Sequence, residues 1–338
     1  MPRSDPVDLL IVGAGPCGLA VAISAMRASL SVAVVDANVV VASIAQYPTY
    51  ATFFSTAEKL SLGGVPFVIA TEKPTRRDAL AYYRTIVRHF AIPVHQNERV
   101  VSIGGRAGDF QVRTAREVSP RRAKGVVIAT GYFGSPNLIG VPGEDLPHVT
   151  HLYHEGHEAF DQDVVVAGGG NSAAEAALDL WRCGARVTLA HFGPSFDKKI
   201  KPWVLPDFEN RVKDGSIAVR WGTRITRIDS DAVTVSSGGT PSKLPAARVY
   251  LMTGFAPNVD LLRDMGVPID ATTGIPSHDP NTLETSIPGV FIAGVVVAGF
   301  DANKVFIENG RFHGDRIVAR IVGGVIPPEP TLSAELDT

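Results

Sequence analysis

The chain carries short runs of apolar residues that end in glycine-containing turns. The first run covers residues 7–12, and a second run of the same kind covers 163–167. Apolar runs of about four to eight residues are typical of parallel strands that are covered on both faces. Similar runs lie at 126–129, 249–252 and 289–293. The pattern therefore predicts an α/β fold whose parallel sheets are flanked by helices.

The turn after the first run has the sequence Gly-Ala-Gly-Pro-Cys-Gly, which places Gly13, Gly15 and Gly18 at the spacing G-x-G-x-x-G. The first glycine allows the tight turn, and the second lets the backbone approach a pyrophosphate. The third lets the following helix pack closely on the strand. Such a motif needs a strand before it and a helix after it to indicate a nucleotide site.

The elements around this turn favour a dinucleotide site. Pro16 begins a predicted helix over 16–28, whose N-terminal amides would point at the phosphates. The next predicted strand, 31–35, ends in Asp36, which lies 23 residues after Gly13. An acid at that place can accept the hydroxyl groups of an adenosine ribose.

The second apolar run leads into a similar turn. Gly168, Gly170 and Ala173 stand at the spacing G-x-G-x-x-A, with Asn171 and Ser172 between the last two of them. Alanine serves at the last position because only close packing is needed there. We therefore predict that these five residues form a second dinucleotide site.

The second site differs from the first at the end of its second strand. The residue 23 positions after Gly168 is His191 rather than an acid, and Lys198, Lys199 and Lys201 follow shortly after it. An acid replaced by nearby cations is typical of a site that accepts the 2′-phosphate of NADPH. The alternative is that these lysines form a solvated loop.

Two unlike nucleotide sites in one chain indicate a flavin, FAD, and a nicotinamide, NADPH, that exchange a hydride. The run at 126–129 ends at Ala129 and is followed by Thr-Gly, so Ala129 and Gly131 are predicted to close the FAD half. The run at 249–252 ends in the same way and closes the NADPH half.

The order of these features predicts two Rossmann-like dinucleotide-binding domains, one inserted in the other. A predicted helix over 303–322 needs a sheet on which to dock, and the first domain supplies it. The FAD domain is therefore expected to be discontinuous, at 1–150 and 285–338, with the NADPH domain inserted at 151–284.

Charge and cysteine content favour small-molecule chemistry. The 338 residues include 32 Lys and Arg against 34 Asp and Glu, which argues against nucleic acid or an anionic membrane as a partner. The apolar run at 290–300 is shorter than the about 20 residues that a membrane span needs. Cys17 and Cys183 match neither a disulfide framework nor a C-x-x-C motif, so a cytoplasmic location is expected.

Several longer segments resemble one family of flavoproteins. They are GAGPCGLA, QYPTYATFFSTAEKL, ATGYFGSPN, IKPWVLPDFENRVKDGSI and FIENGRFHG. These segments are similar to the bacillithiol disulfide reductase family, a thioredoxin-reductase-like branch of the flavoproteins with two dinucleotide-binding domains. The resemblance implies an enzyme that uses FAD and NADPH to reduce bacillithiol disulfide or a related low-molecular-weight disulfide, and it implies a homodimer.

By this resemblance, FAD lies along the first domain. Its pyrophosphate would rest on the first glycine-rich turn and its ribose on Asp36, while the segment around Gly294 would cap the flavin ring. Val295 stands where families of this architecture usually carry an aspartate. One contact to FAD is therefore missing or replaced.

Thioredoxin reductases of this size place a C-x-x-C pair just upstream of the second glycine motif. This chain has His151-Leu152-Tyr153-His154 at about that place. Without a dithiol, electrons cannot pass to thioredoxin by the usual exchange of two thiols. A different acceptor must therefore approach the flavin or another thiol.

Cys17 is the candidate for that other thiol. Its place near a helix N-terminus predicts a lowered pKa and some thiolate character. It would then attack one sulfur of a small disulfide and form a mixed disulfide that reduced FAD resolves. The alternative is that Cys17 is only a small residue packed near the pyrophosphate. Cys183, which precedes a glycine, is expected to be a structural residue at a helix end.

Four histidines recur every three residues, at His148, His151, His154 and His157. A zinc site is conceivable, but the stretch contains Gly156 and lies where an interdomain linker is expected. A polar linker is therefore favoured, and no metal is predicted.

Two other functions stay open at this point. A flavin-dependent monooxygenase would share the glycine motifs, but its F-x-G-x-x-x-H signature is not found between the two domains. A redox-sensing flavoprotein would bind both nucleotides without turnover.

Overall fold

The computed structural model describes residues 6–117, 119–196, 200–301 and 303–328. These residues divide into two compact units. Unit 1 contains the described residues up to Ala45, then Thr52–Ser135, and then the described residues from Ala256 onward. Unit 2 contains Gln46–Ala51 and the described part of Pro136–Phe255.

Unit 1 contains strands and helices from both ends of the chain. Its strands are β1 (Val7–Val12), β2 (Val32–Val35), β3 (Val94–His95), β4 (Val100–Arg106), β5 (Asp109–Thr114), β6 (Arg121–Ile128) and β15 (Val290–Ile292). Its helices are α1 (Pro16–Arg27), α2 (Ala42–Ala45), α3 (Ala57–Leu60), α4 (Arg76–His89), α7 (Asp260–Asp264), α8 (Ile307–Gly310) and α9 (His313–Val322). A 3-10 helix covers Gly294–Ala298.

Unit 2 contains the elements between these two groups. Its strands are β7 (Val149–Thr150), β8 (Asp163–Ala167), β9 (Arg186–Ala190), β10 (Ile217–Arg220), β11 (Thr223–Ile228), β12 (Ala232–Ser237), β13 (Thr240–Pro245) and β14 (Arg248–Leu251). Its helices are α5 (Asn171–Arg182) and α6 (Leu205–Lys213), and a 3-10 helix covers His157–Ala159.

The sheet of unit 1 has the order β3-β2-β1-β6-β5-β4, and β15 also pairs with β6. The pairs β1–β2, β1–β6, β2–β3 and β6–β15 are parallel. Leu10 and Ile11 on β1 are fully buried, as expected for a strand covered on both faces. The last part of the described chain completes this unit, because β15 extends the sheet and α9 packs against α1.

The sheet of unit 2 has the order β10-β9-β8-β14-β7, and its pairs are parallel. A separate antiparallel sheet has the order β11-β12-β13. Helix α5 follows β8 directly and packs against β8 and β9. Each unit thus has the strand-turn-helix-strand arrangement that the two glycine motifs predict, which confirms the α/β, two-Rossmann fold class.

The division between the units differs from the predicted domain boundaries. The predicted boundaries lie at 150/151 and 284/285, whereas the units change at 135/136 and 255/256. The first boundary moves because residues 136–150 join unit 2: Ile139 and Val149 pack on its core, and β7 pairs with β14. The second moves because Val259 and Leu262 belong to the core of unit 1. The assignment of FAD and NADPH to these units stays a prediction.

Two further features depart from the expected pattern. The helix predicted over 303–322 is divided into α8 and α9, and the side chain of Asn309 accepts hydrogen bonds from the backbone N–H groups of Phe306 and Gly310 at the start and end of α8. The sheets also include antiparallel strands that were not predicted, because these strands alternate buried and exposed positions instead of forming apolar runs.

The segment Gln46–Ala51, which we name the strap, leaves unit 1 and returns to it. The Thr49 N–H donates to the carbonyl of His154, at 3.0 Å.

Among the helices in the described ranges, none has the length and apolar character to cross a membrane.

Candidate functional site

The first glycine-rich turn joins β1 to α1 and is closely packed at two of its three glycines. Gly13 has φ +116°, and a Cβ there would lie 2.2 Å from the carbonyl oxygen of Ala129. A Cβ on Gly18 would lie 2.0 Å from the carbonyl oxygen of Gly13. At Gly15, by contrast, no atom lies within 4 Å of the Cβ position. The turn therefore leaves open space at the glycine where a pyrophosphate would approach, so FAD fits this turn.

The amides at the start of α1 are also placed for an anion. Gly15 is the N-cap, Pro16 occupies the first turn, and no side chain caps this end of the helix. Uncapped N–H groups at a helix N-terminus are a ready-made site for a phosphate.

Asp36 follows β2, where the sequence predicts a ribose contact. Its Oδ2 accepts a hydrogen bond from the Ala14 N–H at 2.7 Å, and its Oδ1 accepts one from the Asn38 N–H at 2.7 Å. These bonds fix the carboxylate beside the glycine-rich turn. Each oxygen keeps a second acceptor position for a ribose hydroxyl.

The remaining predicted FAD residues lie on neighbouring segments of unit 1. The Ala129 N–H donates to the carbonyl of Val12 at 2.8 Å, which holds the end of β6 against the turn. No atom lies within 4 Å of a Cβ position at Gly131. Gly294 follows β15, and its N–H donates to Nδ1 of His313 at 3.1 Å. The sequence-predicted FAD residues thus border the carboxyl ends of adjacent parallel strands.

Cys17 faces the C-terminal segment of unit 1. A Cβ on Gly310 would lie 2.7 Å from its Sγ, and a Cβ on Gly294 would lie 3.3 Å from it. Burial raises the pKa of the Cys17 thiol to about 12, with a smaller contribution from the nearby Glu308 carboxylate. The expected lowering of this pKa is therefore wrong. The effect of the helix amides on this pKa is outweighed because the sulfur packs against the segment that contains Gly294 and Gly310 and has a carboxylate nearby.

Three residues of this region, Ser55, Glu308 and His313, have no role in the sequence-based prediction. The hydroxyl of Ser55 donates to the Glu308 carboxylate. His313 is buried, and burial lowers its pKa to about 4, with smaller contributions from Arg316 and His278. Glu308 and His313 lie in the FIENGRFHG segment, so the family-like motif was the available signal. The sequence motif does not show that these two residues lie in the same region as Cys17, which only the folded structure reveals.

The second glycine-rich turn repeats the first. Gly168 has φ +146°, and its Cβ would lie 2.4 Å from the carbonyl oxygen of Met252 and 3.1 Å from the Cβ of Ala173. At Gly170 nothing lies within 4 Å of the Cβ position. This turn also keeps open space at its middle glycine. A second dinucleotide such as NADPH therefore fits unit 2.

Helix α5 begins at Asn171, and its first turn contacts the lysine-containing loop. Asn171 Oδ1 accepts a hydrogen bond from the Lys201 N–H at 2.9 Å, whereas Ser172 is exposed. Lys201 Nζ lies 3.7 Å from a Glu175 carboxylate oxygen, and burial lowers the pKa of this lysine. Lys198 and Lys199 lie outside the described residues.

His191 follows β9, at the position where the first site has its acid. The residue is buried, and a Cβ on Gly169 would lie 2.3 Å from Cε1 of its ring. The imidazole therefore covers the second glycine-rich turn. The His191 carbonyl accepts a hydrogen bond from the Thr223 N–H at 2.9 Å, which places the start of β11 beside the end of β9.

Two of the four histidines of the predicted linker have separate side-chain partners. His148 Nε2 lies 3.1 Å from the Asp229 carbonyl oxygen, and His151 Nε2 lies 3.4 Å from a Glu144 carboxylate oxygen. Within the described ranges, no three His, Cys, Asp or Glu side chains are placed to hold a metal ion. Cys183 is the C-cap residue of α5, as a helix-end position predicts.

Comparison with known proteins agrees with a flavoprotein that has two dinucleotide sites. Residues 10–294 match the model of the pyridine nucleotide-disulphide oxidoreductase family. The chain is 44% identical to bacilliredoxin reductase Bdr of Bacillus subtilis (strain 168) over 316 residues, which cover 92% of this chain and 96% of that protein.

Solved structures agree with this comparison. Bacillithiol disulfide reductase Bdr (YpdA) from Bacillus cereus superimposes with a TM-score of 0.91 at 42% identity, over 94% of this chain and 99% of that one. Thioredoxin reductase from T. acidophilum shares the fold, with a TM-score of 0.72 at 23% identity over 94% and 98% of the two chains.

Proposed function

Because the chain belongs to the pyridine nucleotide-disulphide oxidoreductase family, together with the bacilliredoxin reductases, we propose that it reduces a low-molecular-weight disulfide with electrons from NADPH. Bacillithiol disulfide, or a related small disulfide, is the proposed substrate. The observation that carries the proposal is the place of Cys17, which lies in the first turn of α1, directly after the FAD-type turn, and faces the segment that contains Gly294 and Gly310.

Bound FAD supplies a two-electron carrier between the nicotinamide and the disulfide. The chain's residues would hold it in place. The amides at the start of α1 would take the pyrophosphate, Asp36 would take the ribose, and the segment after Gly294 would cover the ring region. In unit 2 the turn at Gly168 and Gly170 would take the pyrophosphate of NADPH.

Cys17 receives the substrate in this proposal. Its thiolate attacks one sulfur of the disulfide, forms a mixed disulfide and releases the other half as a thiolate, which takes a proton. Two electrons from NADPH and a second proton then cleave the mixed disulfide and restore Cys17. The net reaction oxidises one NADPH and converts one disulfide to two thiols. Attack requires Cys17 to lose its proton, which the raised pKa of this thiol opposes.

The test is an anaerobic stopped-flow record of the flavin absorbance. Mixing with NADPH should bleach the flavin band, and bacillithiol disulfide should restore it. Recovery by oxygen alone would instead indicate an oxidase or monooxygenase. No bleaching would mean that the nicotinamide half delivers no hydride, as in a redox-sensing flavoprotein.

Replacing the thiol then decides its role. In Cys17→Ala, bleaching by NADPH should persist, whereas recovery with the disulfide should slow about 100-fold or more because the nucleophile is lost. Cys183→Ala is the matched control, since Cys183 lies at the end of α5 in unit 2 whereas the FAD-type turn belongs to unit 1, and it should behave like the unmodified protein. Full recovery in Cys17→Ala that still holds FAD would remove Cys17 from the reaction.

A further inference from the structure

We propose that Arg224, held over the ring of Phe192, binds the 2′-phosphate of NADPH and gives unit 2 its preference for NADPH over NADH. This inference rests on the proposed function and names a residue for the cofactor specificity of that site. It adds a cation that the sequence pattern did not indicate.

The end of β9 is where a dinucleotide fold reads the adenosine ribose. In unit 2 the residue there is His191, which is buried against Gly169. No acid at this position repels a phosphate, but the buried imidazole covers the turn instead of facing outward. The group that binds the phosphate must therefore come from a neighbouring element.

The start of β11 is that neighbouring element. The Thr223 N–H donates to the His191 carbonyl, and the Gly222 N–H donates to the Gly193 carbonyl, both at 2.9 Å. These two bonds lie on either side of Phe192 along the chain. They fix the start of β11 next to the residue that follows the ribose position.

Arg224 uses Phe192 as a platform. Its guanidinium carbon lies 4.7 Å from the centre of the Phe192 ring, and Phe192 is 62% exposed. Stacking on an aromatic face restrains the plane of a guanidinium while its N–H edges stay available. In the part of the chain that the structure describes, no carboxylate pairs with Arg224. The planar guanidinium group of Arg224 is thus exposed at the surface with its N–H donors available. Such a group can donate two parallel hydrogen bonds to a phosphate.

Lys201, the described lysine of the nearby loop, already has a carboxylate beside it. Lys201 lies beside the Glu175 carboxylate, and burial lowers the pKa of its ammonium group. Its charge is therefore partly compensated by α5. Arg224 carries a charge that is free of such compensation and lies beside the ribose end of β9.

The test is isothermal titration calorimetry of the FAD-loaded protein with NADP⁺ and with NAD⁺, which differ only in the 2′-phosphate. Arg224→Gln should weaken NADP⁺ binding about 10-fold or more and change NAD⁺ binding less than about 2-fold. Arg224→Lys should fall between, because it keeps the charge but loses the planar fork. Phe192→Ala should also weaken NADP⁺ binding selectively, since it removes the platform.

Arg227→Gln is the matched control, because Arg227 lies on the same strand and pairs with Asp229 at 2.6 Å. It should leave both affinities unchanged. Equal NADP⁺ binding by Arg224→Gln and the unmodified protein would overturn the inference. A loss confined to Arg220→Gln would overturn it as well, because Arg220 is exposed at the end of β10 and its carbonyl accepts a hydrogen bond from the His191 N–H. An unmodified protein that binds neither dinucleotide would overturn the proposed function itself.

Discussion

At the scale of single residues, the immediate surroundings of Cys17 set the pKa of its thiol. The sulfur lies against the C-terminal segment, and the Glu308 carboxylate adds a negative charge nearby. The position at a helix N-terminus, visible in the sequence, predicts the opposite direction of the pKa shift. The sequence could not show Glu308 beside this thiol, because about 290 residues separate them along the chain.

Removing that carboxylate should make the thiol more acidic. In a Cys183→Ser background, Glu308→Gln is expected to lower the pKa of Cys17, because the neutral amide no longer opposes the thiolate. The rate of alkylation by iodoacetamide against pH measures this pKa. Glu209→Gln, at an exposed position on α6, is the control and should leave the profile in place. An unchanged profile in Glu308→Gln would show that burial alone sets the pKa.

His313 should make the stability of the protein depend on pH. Its pKa is about 4 in the folded protein and 6.5 as the reference for an unfolded chain. The unfolded state therefore binds more protons between these values, so the free energy of unfolding should fall as pH drops from about 6.5 to 4, by up to about 3 kcal/mol. Above about pH 6.5 the contribution should be constant.

His313→Asn provides the comparison. The asparagine oxygen can still accept the hydrogen bond from the Gly294 N–H, but the side chain does not titrate. Urea unfolding at several pH values should show a flatter pH dependence for this variant. An identical slope in the two proteins would mean that other groups cause the acid sensitivity.

At the scale of elements, the two glycine-rich turns were predictable because each follows from local chemistry. An apolar run, the glycine spacing and the helix after it specify β1, α1 and the matching pair β8 and α5. The division of the C-terminal helix into α8 and α9 was not predictable in this way. The division depends on the Asn309 side chain and on the close approach of Gly310 to Cys17, and neither feature changes the apolar pattern of the sequence.

Within the first turn, two glycines should respond differently to substitution. Gly15→Ala has open space around its Cβ and an ordinary φ of −71°, so the flavin-free protein should keep its Tm. Its affinity for FAD should nevertheless fall about 10-fold or more, because the methyl group occupies the approach of the pyrophosphate.

Gly18→Ala should show the reverse order of effects. Its Cβ would meet the Gly13 carbonyl oxygen at 2.0 Å, so the flavin-free protein should lose about 1–3 kcal/mol of stability. Differential scanning calorimetry and FAD titration of both variants test the pair. A Gly15→Ala protein that binds FAD normally would place the pyrophosphate elsewhere.

At the scale of the whole molecule, the insertion of one dinucleotide-binding unit in another was visible in the order of motifs. The boundaries were not, because residues 136–150 and 256–284 contain few strong strand or helix patterns. Only packing assigns them, since Val149 extends one sheet and Leu262 fills the other core. The strap was missed for the same reason, because a short aromatic loop gives no sign of the unit that it joins.

The discontinuity of unit 1 also has a consequence for synthesis on the ribosome. Strand β6 ends at Ile128, but its partner β15 begins at Val290 and the helix that covers α1 begins at His313. At a translation rate of about 5–20 residues per second, the half-built sheet waits roughly 10 to 30 s for its missing parts. During this interval most of unit 2 can emerge and fold, while the edge of β6 and the uncovered face of α1 are exposed to misassociation. Chaperone dependence should therefore be concentrated in nascent chains of intermediate length.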